Sequence, residues 1–152
     1  IRDQPRSRGL GDVYKRQILV HDCCITQRDI DIVMGHFTAP VWWCLCPRSN
    51  RYISGLEPPV ELLRRNRLNI CLGTDSLASN DRLSVFEEMR MFPGIPLPEL
   101  LAWAARGGSQ ALGMEDEFGD IAPGRRCGLT VVSGLDYDTL CLTPASQIRR
   151  IL

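Results

Sequence analysis

Asp75 sits just beyond the apolar run LNICLG (68–73), a position where a bare carboxylate is costly unless something compensates it. Two kinds of compensation suit it. An arginine partner, or backbone N–H groups of the turn Ser76 to Asn80, makes it a structural acid. A bound cation or a proton to be moved makes it a metal ligand or a general base. His21 ends a second apolar run, ILVH (18–21), and Pro47-Arg48-Ser49-Asn50 follows a third, VWWCLC (41–46). An imidazole, a carboxylate and neighbouring hydroxyl and amide groups can together pass protons and hold an oxygen atom. Taken alone, His21 reads more readily as a satisfied histidine in a core or at its rim.

These residues converge only if the three apolar runs are neighbouring strands. The segments between them read as helices. Thr26 caps one, with Asp29 three residues on, Ile30 and Val33 as its apolar face and Gly35 as its stop. Pro47, Gly55 and the Pro58-Pro59 pair mark a loop, and Pro59 opens a short helix through Leu62 and Leu63 to Asn66. Ser84 with Glu87 forms a capping box for a helix carrying Leu83, Phe86 and Met89, and Pro98 opens another that ends near Arg106 at Gly107-Gly108. Strands apolar on both faces that alternate with helices make parallel βα units, whose strand C-termini gather polar side chains at one mouth. The predicted fold class is α/β with three such units. After residue 113, Gly, Pro and Asp punctuate the chain, and LTVV (129–132) reads as a strand of a separate β layer.

Composition narrows the function classes. The chain has 152 residues, 44% hydrophobic and 24% charged, enough for one globular domain. Its formal net charge is zero, which offers neither nucleic acid nor an anionic membrane an electrostatic footing. No apolar run approaches the roughly 20 residues that span a bilayer. Seven cysteines are an odd number, and several fall inside apolar runs, so a reducing, cytoplasmic setting is expected over a disulfide scaffold. Residues 1–17 are basic, hold the only lysine (Lys15) and show no periodicity; they read as a non-native, adaptor-like tail and are left out of the fold reading.

Other candidate sites have plainer readings. Cys44 and Cys46 share one strand face and Cys23-Cys24 lie near a strand end, so a thiolate metal cluster competes with buried, inert thiols. His36 falls at a helix C-terminus, which favours a structural role. Trp42, Trp43 and Trp103 read as core or interface residues, and the glycine-rich stretch 106–113 as a helix terminus.

In combination, the motifs go further. The run ending in His21, the PRSN element at 47–50, GTDSLASN at 73–80 with its EEMR helix, and GDIAPG at 119–124 resemble the C-terminal part of the metal-dependent amidohydrolase superfamily, in its deaminase and chlorohydrolase branch. The resemblance implies a partial TIM-type (β/α)8 barrel, with 18–113 as its three C-terminal βα units and 114–152 returning into a small composite β-sandwich. It implies that Asp75 binds a divalent metal, zinc above all, and shuttles a proton. It further implies that His21 contacts the attacking water and the substrate, and that Ser49, Asn50, Ser79 and Asn80 shape the substrate pocket. The expected substrate is a small nucleoside-like molecule or aromatic amine, hydrolysed at a C–N bond, in a full-length protein that could be a homo-oligomer. The family's remaining metal ligands are a His-x-His pair and a further histidine on earlier strands, whereas this chain has two histidines in all. The chain is therefore expected to be a fragment, inactive alone. The competing reading is a noncatalytic α/β module for binding or dimerisation.

Overall fold

The computed structural model describes residues 16–126 and 128–151; most of the leader (1–15) and Cys127 lie outside the described residues. Three strands, β1 (Gln17–Val20), β2 (Val41–Leu45) and β3 (Asn69–Leu72), form one parallel sheet in the order β1-β2-β3. β1 opens at Gln17, which pairs with Val41, so the strand begins one residue before the apolar run. In the register of β2 with β3, Cys44 lies opposite Cys71 and Leu45 opposite Leu72.

Alternation along β2 loads both faces of the sheet. Trp43 and Leu45 join Ile30, Leu63, Ile70, Leu72 and Leu100 in the main core, while Trp42 packs with Cys71 and Ala111 on the opposite face. Burial on both sides is why β2 and β3 read as continuous apolar runs rather than alternating ones, whereas β1, expected to be covered on both faces, leaves Ile18 and Val20 exposed on one. Helix α1 (Gln27–His36) starts at Thr26 with the expected reciprocal cap: the Thr26 hydroxyl accepts from the Asp29 N–H, and the Asp29 carboxylate accepts from the Thr26 N–H. It runs through Gly35 and ends at His36, whose ring meets Phe37 edge-on.

Two expectations about elements are corrected. The segment after β2 is a helix, α2 (Pro47–Ile53), not a loop: Pro47 at the first turn lacks only an N–H that a helix start leaves unpaired anyway. Helices α3 (Val60–Arg65) and α4 (Val85–Met89) follow as expected, with the Ser84 hydroxyl accepting from the Glu87 N–H. The next helix does not stop at Gly107-Gly108. It runs as α5 (Leu97–Leu101), a π-helical segment (Ala102–Gly107) and α6 (Gly108–Leu112), and Gly113 ends it in a left-handed conformation at φ +71°. Gly107 serves close approach instead, because a Cβ there would lie 2.4 Å from the Ile70 carbonyl oxygen of β3. Gly107→Ala is expected to force the helix off the sheet and destabilise the protein by about 1–3 kcal/mol, measured by chemical denaturation.

Beyond residue 113 the β layer is a two-stranded antiparallel hairpin, β4 (Thr130–Asp136) and β5 (Cys141–Arg150). The sequence shows part of the first strand and conceals the second, because Pro144 interrupts it. The hairpin docks on the α/β part through the Leu97 N–H to the Leu140 carbonyl (2.8 Å), and Val132, Leu135 and Leu142 pack on the main core. The fold is thus α/β with an antiparallel appendage, and the three parallel strands do not close into a barrel.

Candidate active site

The C-terminal ends of the parallel strands bring the sequence candidates together. At the end of β1, His21 still pairs with the sheet through its N–H to the Cys44 carbonyl (3.0 Å), then turns away in a left-handed backbone conformation at φ +78°. Asp75, three residues past β3, is left-handed as well, at φ +55°. Residues other than glycine pay for that conformation, and it concentrates where a side chain must be aimed. Here it aims an imidazole and a carboxylate at each other: His21 Nε2 lies 3.9 Å from Asp75 Oδ2. Gly73 makes the approach to Asp75 possible, since a Cβ at that position would sit 2.9 Å from Cys44 Sγ and 3.1 Å from Cys46 Sγ.

Helix α2 locks both groups from β2. The Ser49 hydroxyl lies 2.6 Å from Asp75 Oδ2 and 2.9 Å from Ser79 Oγ, while Ser79 Oγ donates to the same carboxylate oxygen at 2.8 Å. These hydroxyls hold the Asp75 carboxyl below the usual carboxylate range, those of Ser49 and Ser79 being the chief cause. The stability this bonding supplies is present above the ordinary carboxylate range and lost as acidification protonates the group. Next to Ser49, Asn50 meets His21 Nδ1 with its Oδ1 at 2.7 Å, and its Nδ2 points to the His21 carbonyl at 3.5 Å. With the amide set that way, Nδ1 carries the proton and donates, leaving Nε2 to face Asp75. Ser49, Asn50, Ser79 and Asn80 are all buried.

Asn80 belongs to a different layer from its neighbours. Its hydrogen bonds go elsewhere than His21 and Asp75: its Nδ2 donates to the Thr74 carbonyl (2.8 Å) and to Glu88 Oε1 (2.7 Å). Sequence reasoning gave Glu88 and Arg48 no role of their own. The signal available was a second acid in EEM at a helical position that faces inward. Beside this layer runs an open groove of about 460 Å³, bordered by Arg48, Tyr52, Leu77, Ser79, Asn80 and Met91.

Asp22 adds a charge to the mouth. It is half-buried, its Oδ2 has no hydrogen-bond partner among the described residues, and its pKa is pushed up to about 6, chiefly by burial and secondarily by Cys44. Because the folded value exceeds the ordinary one, the stability linked to this group is present below about pH 4 and lost as pH rises through 6. Asp22→Asn is expected to leave the melting temperature unchanged at pH 4 and to raise stability at pH 7, on the order of 1 kcal/mol after allowing for solvent exposure. Thermal unfolding across that range measures it.

The residues present meet only part of a metal's needs. Asp75 offers an ionised oxygen and His21 an imidazole nitrogen, whereas a catalytic zinc takes three protein ligands. Among the described residues, no group of three or more His, Cys, Asp or Glu side chains could hold a metal ion. That includes the thiols: Cys46 and Cys71 are buried, and their bonds to Cys44 together with burial hold them protonated. His36, Trp43 and Trp103 have packing roles away from the mouth, Trp103 meeting Phe92 edge-on at 5.7 Å. No helix among the described residues is long and apolar enough to cross a membrane.

Known proteins share sequence and fold with most of this chain. The sequence profile of the Amidohydrolase family matches residues 3–149. A 5-methylthioadenosine/S-adenosylhomocysteine deaminase of Halobacterium salinarum is 34% identical over 146 residues, covering 89% of this chain and 32% of that protein. Among solved structures, Helicobacter pylori aminofutalosine deaminase in complex with methylthio-coformycin aligns with a TM-score of 0.64 at 29% identity, over 78% of this chain and 30% of that one. A zinc-bound adenosine deaminase from Xanthomonas campestris aligns with a TM-score of 0.63 at 29% identity, over 76% of this chain and 28% of that one. The chain spans roughly a quarter to a third of the length of the relatives it matches.

Proposed function

The chain belongs to the amidohydrolase family, and on that premise we propose that it supplies the His21–Asp75 portion of a metal-dependent deaminase acting on adenosine-like nucleosides. The observation that carries this reading is the facing pair itself: two strand ends, both in left-handed backbone, present an imidazole nitrogen and a carboxylate oxygen 3.9 Å apart, each fixed by a residue of α2. The likeness to solved deaminases supports placing β1–β3 in a (β/α)8 barrel, with the β4–β5 hairpin in a small β-sandwich.

The reaction replaces an exocyclic amino group by oxygen: water adds at the carbon bearing the amine, and the C–N bond breaks to release ammonia. Asp75, ionised and aimed at the open mouth, accepts a proton from the water and returns it to the departing nitrogen. His21 accepts an O–H of the entering water at its unprotonated Nε2, and Asn50 keeps its ring oriented. Ser49 and Ser79 hold the carboxylate without touching the reacting atoms. A divalent ion, zinc being the ion in one neighbour's structure, would be held in part by Asp75 and would supply activation of water at neutral pH. Its other ligands have to come from residues beyond these 152, so the chain alone is proposed to be inactive.

The test is ammonia release from 5′-methylthioadenosine by protein expressed from the complete reading frame and loaded with zinc, beside this chain alone. Turnover by the first, abolished by a chelator, and none by the second is the expected result. A zinc-loaded full protein that releases no ammonia, or a reading frame with no further histidines to ligate the metal, overturns the proposal and favours a noncatalytic α/β module.

A further inference from the structure

Glu88 is the most deeply buried acid in the described structure, with 0% of its surface exposed, and it lies one helix away from the proposed chemistry. Its two carboxylate oxygens serve the segments that follow two different strands. Oε2 accepts the backbone N–H of Arg48 at 3.0 Å, in the first turn of α2. Oε1 accepts from Asn80 Nδ2 at 2.7 Å, and the same Asn80 nitrogen donates to the carbonyl of Thr74 at 2.8 Å. Arg48 closes the circuit: its Nε donates to Asn80 Oδ1 at 3.1 Å, lies 3.8 Å from Glu88 Oε1, and its guanidinium also pairs with Asp81.

Each of these anchor points is one residue from the site. Arg48 precedes Ser49 and Asn50, which bond Asp75 and His21; Thr74 precedes Asp75. We infer that Glu88 is a positioning residue, setting the end of β2 against the end of β3 so that Asn50 and Ser49 meet His21 and Asp75 in register. The chemistry of the clamp asks for a carboxylate, because two donors must be received by two oxygens. Glutamine fails there: whichever way its amide turns, one N–H···H–N encounter replaces a bond. Burial raises the Glu88 carboxyl above its ordinary range, and the bonds from the Arg48 N–H and the Asn80 amide, with the Arg48 guanidinium, pull against that rise.

The inference rests on His21 and Asp75 being the working pair, yet its test needs no turnover. The chain has two histidines, and His36 on α1 lies away from the clamp. Ring-nitrogen NMR of the full 152-residue chain, labelled at histidine, therefore carries its own folding reference. Glu88→Gln is expected to reduce the bias of His21 toward the tautomer bonded to Asn50 by about twofold or more, leaving His36 unchanged. Glu88→Asp keeps the charge but is one methylene short, and is expected to fall between parent and Gln variant. An unchanged His21 pattern in a folded Gln variant overturns the inference. So does loss of the folded His36 signal in both variants, since Glu88 then supports the fold at large. Ammonia release by the full protein together with an unmoved His21 removes the clamp alone, whereas a moved His21 without ammonia release removes the deaminase reading alone.

Discussion

Asp75→Asn, introduced into the full-length protein, is expected to lower kcat about 10²–10⁴-fold while KM stays within a few-fold, measured by ammonia release under zinc-saturating conditions. Asparagine is the replacement that isolates the charge. It tolerates the left-handed backbone that Asp75 adopts at φ +55°, so the loop keeps its course. Its oxygen can still accept from the Ser49 and Ser79 hydroxyls that now bond Oδ2. What disappears is the anionic oxygen able to take a proton and hand it on. Asp75→Ala confounds two effects, because alanine there adds backbone strain to the loss of the acid. Turnover that survives Asp75→Asn unchanged removes this carboxylate from the proton path.

The largest stability effect is expected at Trp43. This side chain is 0% exposed and sits in the main core between the sheet and its covering helices. Trp43→Ala leaves a cavity that the surrounding Leu45, Leu63 and Leu100 cannot fill by small adjustments, and should cost about 3–5 kcal/mol, a fall in melting temperature of about 10 °C or more. Trp43→Phe makes an instructive contrast. The indole Nε1 has no hydrogen-bond partner among the described residues. Phenylalanine gives up volume but also removes a buried, unpaired N–H, a liability of about 1–3 kcal/mol. Its net cost should therefore be well below that of alanine, and a phenylalanine variant as unstable as the alanine one contradicts an orphaned indole.

The parts of this molecule legible in the sequence are those where a local rule and the tertiary structure agree. The apolar runs of β2 and β3 gain nothing from alternation because both faces are covered, while β1 leaves Ile18 and Val20 exposed; the reciprocal cap at Thr26 is a contact within four residues. The meeting of His21, Asp75, Ser49 and Asn50 follows from knowing only where parallel strands end. Helix α2 was hidden because its inward residues are Ser49 and Asn50, polar groups facing a polar site, so no apolar stripe announces it. Gly107-Gly108 looked like a stop because a glycine required for close packing against Ile70 has the same letter as one that ends a helix. The bond between Asn80 and Glu88 becomes visible only when the ends of β2 and β3 are seen together.

The left-handed backbones at His21 and Asp75 also limit how these positions can vary. Two independent filters operate there, one for chemistry and one for shape, and the second excludes valine, isoleucine and threonine whatever the reaction demands. A saturation library scored for soluble expression alone should already show both sites restricted, with glycine and asparagine accepted most readily. Scored for turnover, the same library should contract to the parental residues, and the difference between the two profiles separates what the chain's path requires from what the reaction requires.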